Sequence, residues 1–194
     1  MSLPADLFDR LAAHEAPPSE DPPARRAAVA AILREQHDTL DLLLMLRREH
    51  PLDPWSGHVS LPGGRHDPCD ADLLATALRE THEEVGLALD PERELLCRLT
   101  PVQARARGRI VPMDVTPFVF RWTGSDIPQP GIEAAEVFWL PLGAVASGAL
   151  DTDYLYEDDR GPRTLPGVEY EGRVVWGLTL HMIRMLLTAG GAPR

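Results

Sequence analysis

Residues 58–87 read HVSLPGGRHDPCDADLLATALRETHEEVGL, a glycine turn followed by a helical pattern that closes on three glutamates. From Asp72 to Val85 the residues Leu74, Leu78, Thr81 and Val85 recur at spacings of four and three, so they are expected to share one buried stripe. Glu80, Glu83 and Glu84 then project from another side. Residues three and four apart are neighbours on a helix surface, so Glu80 lies beside both others and the carboxylates repel. A hard divalent cation, Mg²⁺ or Mn²⁺, relieves such crowding. Gly86 supplies the helix stop.

On the N-terminal side of this stretch, Ala27 to Leu33 and Leu40 to Leu46 are apolar runs separated by REQHDT, which predicts a strand hairpin feeding a sheet. HPLDPWSG reads as a proline-rich loop, and His58–Leu61 as a short strand ending at Pro62, Gly63 and Gly64. Residues 4–14 predict a small helix with Leu7, Phe8 and Leu11 on one face. Ala16 to Pro23, with four prolines, predicts an extended linker.

On the C-terminal side, Glu94–Val102, Ile110–Trp122 and Glu136–Leu140 are strand candidates; Pro112 and Pro117 make the middle one two strands or an edge strand with a bulge. Residues 141–149 predict a short helix. Asp151–Arg163 is acidic and rich in turn residues, hence a surface loop. Val168–Trp176 reads as a hairpin around Glu171-Gly172, and Gly177 to Leu187 as a closing helix. Strands, one central helix, more strands and a final helix make an α/β fold with helices flanking a mixed sheet.

At 194 residues the chain suits one domain with a terminal extension. Its net charge of −11 argues against a nucleic-acid groove or an anionic membrane surface as partner. No apolar run has membrane-spanning length and no signal peptide opens the chain, so a cytoplasmic protein is expected. All 19 basic residues are arginine, a type suited to bidentate phosphate recognition but also favoured by genomic base composition. Cys69 and Cys97 lack zinc or redox spacing and read as reduced, non-catalytic thiols. His58, His66 and His82 lack zinc-ligand spacing and read as surface or loop residues.

Arg79-Glu80-Thr81-His82-Glu83-Glu84-Val85-Gly86-Leu87 resembles the second half of the Nudix hydrolase signature, Gly-x5-Glu-x7-Arg-Glu-apolar-x-Glu-Glu-x-Gly-apolar. The first half departs from it: Asp70 stands where the common form has Glu, with one extra residue before Arg79. That variant is similar to the box of coenzyme A pyrophosphatases, with Gly63, Gly64, Asp67, Asp70 and Thr76 to Glu80 in register. Glu136–Leu142 and Val175-Trp176-Gly177-Leu178-Thr179 add to the resemblance, whereas the DPW insertion ahead of the box does not fit it.

The resemblance implies an α/β/α sandwich over residues 27–190, preceded by an N-terminal helix and linker over 1–26. It implies a pyrophosphohydrolase using Mg²⁺ or Mn²⁺, with Glu80, Glu83, Glu84 and the Gly64 carbonyl as metal ligands and a glutamate as base. Coenzyme A or an acyl derivative is the leading substrate. ADP-ribose, nucleotide sugars and dinucleotides are the enzymatic alternatives, and a nucleotide-binding module without turnover is the third. Glu157, with Asp158 and Asp159, is the candidate distal base; Glu133 and Glu136 are weaker ones. Arg65, Arg47, Arg48, Arg105 and Arg107 are candidate phosphate ligands, and Trp55 a candidate base-stacking residue. Arg79 is expected to be structural. Nudix domains often form homodimers, although nothing in the chain marks an interface.

Overall fold

The computed structural model describes residues 3–17, 25–36, 39–50, 55–106, 109–158 and 161–192. The elements run α1 (Leu7–Ala12), β1 (Arg25–Gln36), β2 (Thr39–Arg47), β3 (Val59–Ser60), β4 (Gly63–Arg65), α2 (Leu73–Val85), α3 (Pro91–Glu94), β5 (Leu95–Arg98), β6 (Val102–Ala106), β7 (Arg109–Arg121), β8 (Ala134–Pro141), α4 (Leu142–Ala146), β9 (Asp151–Asp158), β10 (Gly161–Tyr170), β11 (Arg173–Trp176) and α5 (Gly177–Ala189).

β1 through β8 form one mixed sheet in which β1 lies between antiparallel β2 and parallel β7, and β3, β4, β5, β6 and β8 extend the edges. β1 and β2 are apolar on both faces because both faces are covered. Ala27, Val29, Ala31, Leu33, Leu42 and Leu44 face one core layer together with residues of α1, α4 and α5. Ala28, Ala30, Ile32, Leu43 and Met45 face the other, with Ala77 and Val85 of α2. Strand alternation thus divides a nearly continuous apolar run between two layers, giving the expected α/β/α sandwich.

Besides the Glu94–Val102 candidate, which divides between β5 and β6, three readings change. Asp151–Arg163 is not a loop: β9 and β10 pair antiparallel from Asp151↔Val168 to Asp158↔Gly161. Its polar composition hides a period of two, in which Thr152, Tyr154 and Tyr156 are half-buried between exposed neighbours. Pro162 and Pro166 fit because β11 pairs only with the later part of β10, leaving their other edge open. Second, β7 is one continuous strand. Pro117 sits where its partner on one side changes from β6, last registered at Val115, to β5, first registered at Phe118. Third, Gly63 and Gly64 do not end a strand but form β4 on β1.

The expected linker residues 18–24 and the 51–54 part of the DPW insertion lie outside the described residues. α1 itself joins the core through buried Leu7 and Leu11, and starts after Pro4, whose carbonyl accepts the Leu7 N–H. No helix among the described residues is long and apolar enough to cross a membrane.

Candidate functional site

Helix α2 is bounded by local chemistry. The Asp72 carboxylate accepts the Ala75 N–H at 2.8 Å, and Gly86 closes the helix in the left-handed conformation at φ 71°. The glycine turn ahead of it is tied to the same helix. At Gly63, φ is 147° and a Cβ would overlap the Ala28 carbonyl; at Gly64 a Cβ would overlap the Glu80 carboxylate. Gly63 needs glycine because backbone occupies the space, whereas at Gly64 only the movable end of the Glu80 side chain does.

The buried face of α2 differs from the expected stripe. It carries Thr76, Ala77, Thr81, Glu84 and Val85, while Leu74 and Leu78 are only half-buried. Glu84 therefore belongs to the buried face. It is 3% exposed, and its Oε2 accepts the Gly63 N–H at 2.7 Å. Burial raises its pKa to about 8, against the opposing pull of the Gly63 N–H and Arg47. Glu80 is half-buried, and burial raises its pKa too, opposed by Arg79. Glu83 is the outward member, its side chain 57% exposed and bonded to Arg79 Nη1 at 3.1 Å.

Arg79 organises the box, in agreement with a structural role. Its Nε and Nη2 donate to Asp70 Oδ1 and Oδ2 at 2.9 and 3.0 Å, and its Nη1 reaches Glu80 Oε1 at 2.9 Å. Asp70 also accepts the Thr76 hydroxyl at 2.8 Å and the Asp67 N–H at 3.1 Å. The hydrogen bonds from Arg79 hold its carboxyl well below the usual range. The loop ahead of Asp70 folds back on itself, with the Asp70 N–H on the Asp67 carbonyl at 2.9 Å, and so holds the Asp70 carboxylate against Arg79. His66 joins that loop, its Nδ1 3.0 Å from the Thr76 hydroxyl.

Glu80, Glu84, Gly63, Gly64 and Arg65 line a cleft of about 1130 Å³, together with Arg47, Trp55, Arg105 and Glu133. Arg47 sits inside the acidic cluster, 3.6 Å from Glu84 and 3.7 Å from Glu133. Arg48 is turned to the 132–134 segment, donating to the Ile132 and Ala134 carbonyls at 2.9 and 3.1 Å, so it anchors a loop and is not among the cleft residues. That loop is also bonded to the end of α2, with the Gly131 N–H on the Glu84 carbonyl at 2.8 Å. The result brings Glu133, weakly favoured from sequence, to the cluster; its long-range approach leaves no periodic signal. Trp55 lines the cleft and donates its indole N–H to the Arg105 carbonyl at 3.0 Å.

Glu157 goes elsewhere. It is exposed on β9, alternating with the cleft residue Tyr156, and does not join the acidic cluster. Asp159, Arg107 and the Asp158 side chain lie outside the described residues. Glu136 pairs with Arg173 on β11, which lowers its pKa. His58 is not a plain surface residue: it lines the cleft against Trp176. Cys97 is buried, which pushes its thiol up to about 11, and Cys69 is exposed and unpaired.

Among the described residues no three Asp, Glu, His or Cys side chains are grouped so as to hold a metal ion. Buried Glu84 and half-buried Glu80, both of raised pKa and beside a glycine backbone, are nonetheless an all-oxygen donor set. Mg²⁺ is commonly held by one or two carboxylates plus substrate phosphates, so this set fits such an ion.

A NUDIX domain description matches residues 24–159. The chain is 36% identical over 159 residues to the mitochondrial coenzyme A diphosphatase NUDT8 of Homo sapiens, an alignment covering 79% of this chain and 64% of the human protein. It thus spans less than two thirds of that relative. It is 32% identical over 165 residues to the Nudix hydrolase NudL of Yersinia pestis, covering 84% of this chain and 78% of that protein. A NUDIX hydrolase structure from Alicyclobacillus acidocaldarius shares the fold with a TM-score of 0.57 at 18% identity, over 86% of this chain and 92% of that one. A MutT/nudix family protein from Enterococcus faecalis gives 0.55 at 19% identity, over 93% and 67%. The glycine turn, the Arg79 clamp and the glutamate helix lie inside the matched domain, and the chain belongs to the Nudix hydrolase family.

Proposed function

We propose that this protein is a divalent-metal-dependent diphosphatase that cleaves a nucleoside diphosphate derivative. The leading substrate is coenzyme A or acyl-coenzyme A, giving 3′,5′-ADP and (acyl-)phosphopantetheine. The observation that carries the reaction class is Glu84, buried and fixed to the Gly63 N–H beside Glu80 in a large open cleft. The similarity to a coenzyme A diphosphatase supports the substrate.

Glu80, Glu84 and the Gly64 backbone are the groups that would hold the ion, with Glu83, which faces outward on Arg79, joining them only by turning inward. When bound, a divalent cation supplies charge neutralisation on the diphosphate and lowers the pKa of a coordinated water. The chain's own groups do the rest. Arg79 restrains Glu80 and Glu83, while Arg47 offsets the mutual repulsion of Glu84 and Glu133. Arg65 at the cleft is the phosphate ligand in this reading, Trp55 lines the substrate, and Arg48 acts only through the loop it anchors. The base comes from the Glu80, Glu83, Glu84 and Glu133 cluster, not from Glu157.

The test is the purified protein with Mg²⁺ or Mn²⁺ against coenzyme A, ADP-ribose, nucleotide sugars and dinucleotides, with products identified by mass. Preferred cleavage of ADP-ribose would remove coenzyme A as substrate. No turnover of any compound would leave a binding module.

A further inference from the structure

The acidic floor occupies only part of the cleft. Another wall comes from the three-stranded sheet of β9, β10 and β11, outside the Nudix box, and it is built of rings. Trp176, the last residue of β11, is stacked by Tyr154 at 4.5 Å with planes 22° apart. Tyr156 lies 4.9 Å from it, tilted by 41°, and His58 meets it nearly edge-on at 4.8 Å. Trp176, Tyr156 and His58 line the cleft, whereas Tyr154 does not and so serves as backing.

Arg163 is the cross-strand partner of Tyr156, and its guanidinium lies 5.6 Å from the Tyr156 ring centre. It lines the same cleft. The Arg163 guanidinium over the Tyr156 ring, on a wall that also carries Trp176 and His58, makes this side of the cleft suited to a planar base carrying an anionic group. The glutamate side of the cleft, with Arg47 and Arg65 beside it, suits a diphosphate that arrives with a cation. The two walls therefore fit two different parts of one substrate, and a cleft of about 1130 Å³ has room for both.

We propose that Tyr156 and Trp176 hold the purine base of the substrate and that Arg163 holds the phosphate on its ribose, so that the β9–β10 arm selects 3′-phosphorylated nucleotides. This rests on the proposed diphosphatase reading and deepens it. Stacking on one aromatic ring contributes enough for about a tenfold or greater effect on affinity.

The experiment is calorimetric titration of the protein with 3′,5′-ADP and with 5′-AMP, with indole fluorescence followed in parallel. It is done for wild type and for Tyr156→Leu, Tyr156→Phe and Arg163→Ala, each checked for an unchanged melting temperature. Wild type is expected to bind 3′,5′-ADP at least tenfold more tightly than 5′-AMP. Arg163→Ala should erase that preference while leaving 5′-AMP binding in place. Tyr156→Leu should weaken both ligands about tenfold, and Tyr156→Phe, which keeps the ring, should restore them. In coenzyme A hydrolysis the Leu and Ala variants should raise KM with kcat nearly unchanged.

Coenzyme A hydrolysis with wild-type KM in the Leu and Ala variants would overturn the arm's role while keeping the diphosphatase reading. Expected titrations without coenzyme A hydrolysis would overturn that substrate and support the arm's role.

Discussion

At the scale of single residues, Glu84 is the group with the largest stake. Its carboxyl keeps a proton in the fold up to about pH 8, whereas in the unfolded chain it releases it near the ordinary 4.5. The unfolded state therefore binds fewer protons between those values, and stability of the metal-free protein falls as pH rises through that window. Glu84→Gln should flatten this dependence and raise the melting temperature at pH 8, by about 2–4 °C for each kcal/mol recovered. Melting curves from pH 5 to 8 in chelator measure it; parallel slopes for both proteins would contradict the assignment. Glu83→Gln and Glu84→Gln should each lower turnover about a hundredfold with the fold intact, as loss of a metal ligand or base does. Asp70→Ala leaves Arg79 without its bidentate partner, although Arg79 stays partly solvated. The cost should be about 1–3 kcal/mol, read from urea midpoints, with lower activity because Glu80 and Glu83 lose a fixed neighbour.

At the scale of elements, the glycine turn and α2 act as one unit, and adjacent glycines should fail differently. Gly63→Ala meets the Ala28 backbone from a positive φ, so it should destabilise the protein by about 2 kcal/mol or more. Gly64→Ala meets only the end of the Glu80 side chain, which can swing away. It should melt near wild type yet lose most activity. Thermal melting beside a turnover assay separates the two, and equal melting temperatures with equal activities would discard this coupling of the glycines to β1 and α2. α2 was legible because Asp72, Gly86 and the helical spacing are local signals. β9 was not: its residues look like a loop until the rings of Trp176, far along the chain, give Tyr154 and Tyr156 something to cover.

At the scale of the whole molecule, the sheet sets which groups can meet. β2 ends at Arg47, β4 carries Gly63 and Gly64, and the segment before β8 carries Glu133, so the cluster is assembled where three strand ends approach α2. A divalent cation that joins Glu80 and Glu84 only in the fold stabilises it by mass action. Adding Mg²⁺ or Mn²⁺ should raise the melting temperature at pH 8 and chelator should reverse it, with a smaller response in Glu84→Gln. An identical ion response in that variant would exclude Glu84 as a ligand.

Local signals were enough for the central helix with its Gly86 stop, for the β1–β2 hairpin and for the three glutamates, because periodicity and turn chemistry act over a few residues. Asp70 was visible too, but not its contacts, a clamp on Arg79 closed by the 67–70 loop. Depth and company came from the packing of distant strands. It buried Glu84, set Arg47 between two carboxylates, brought Glu133 in and left Glu157 out, and turned an acidic stretch into an aromatic wall. Those outcomes depend on which distant strands pack against which face, and no local spacing encodes that.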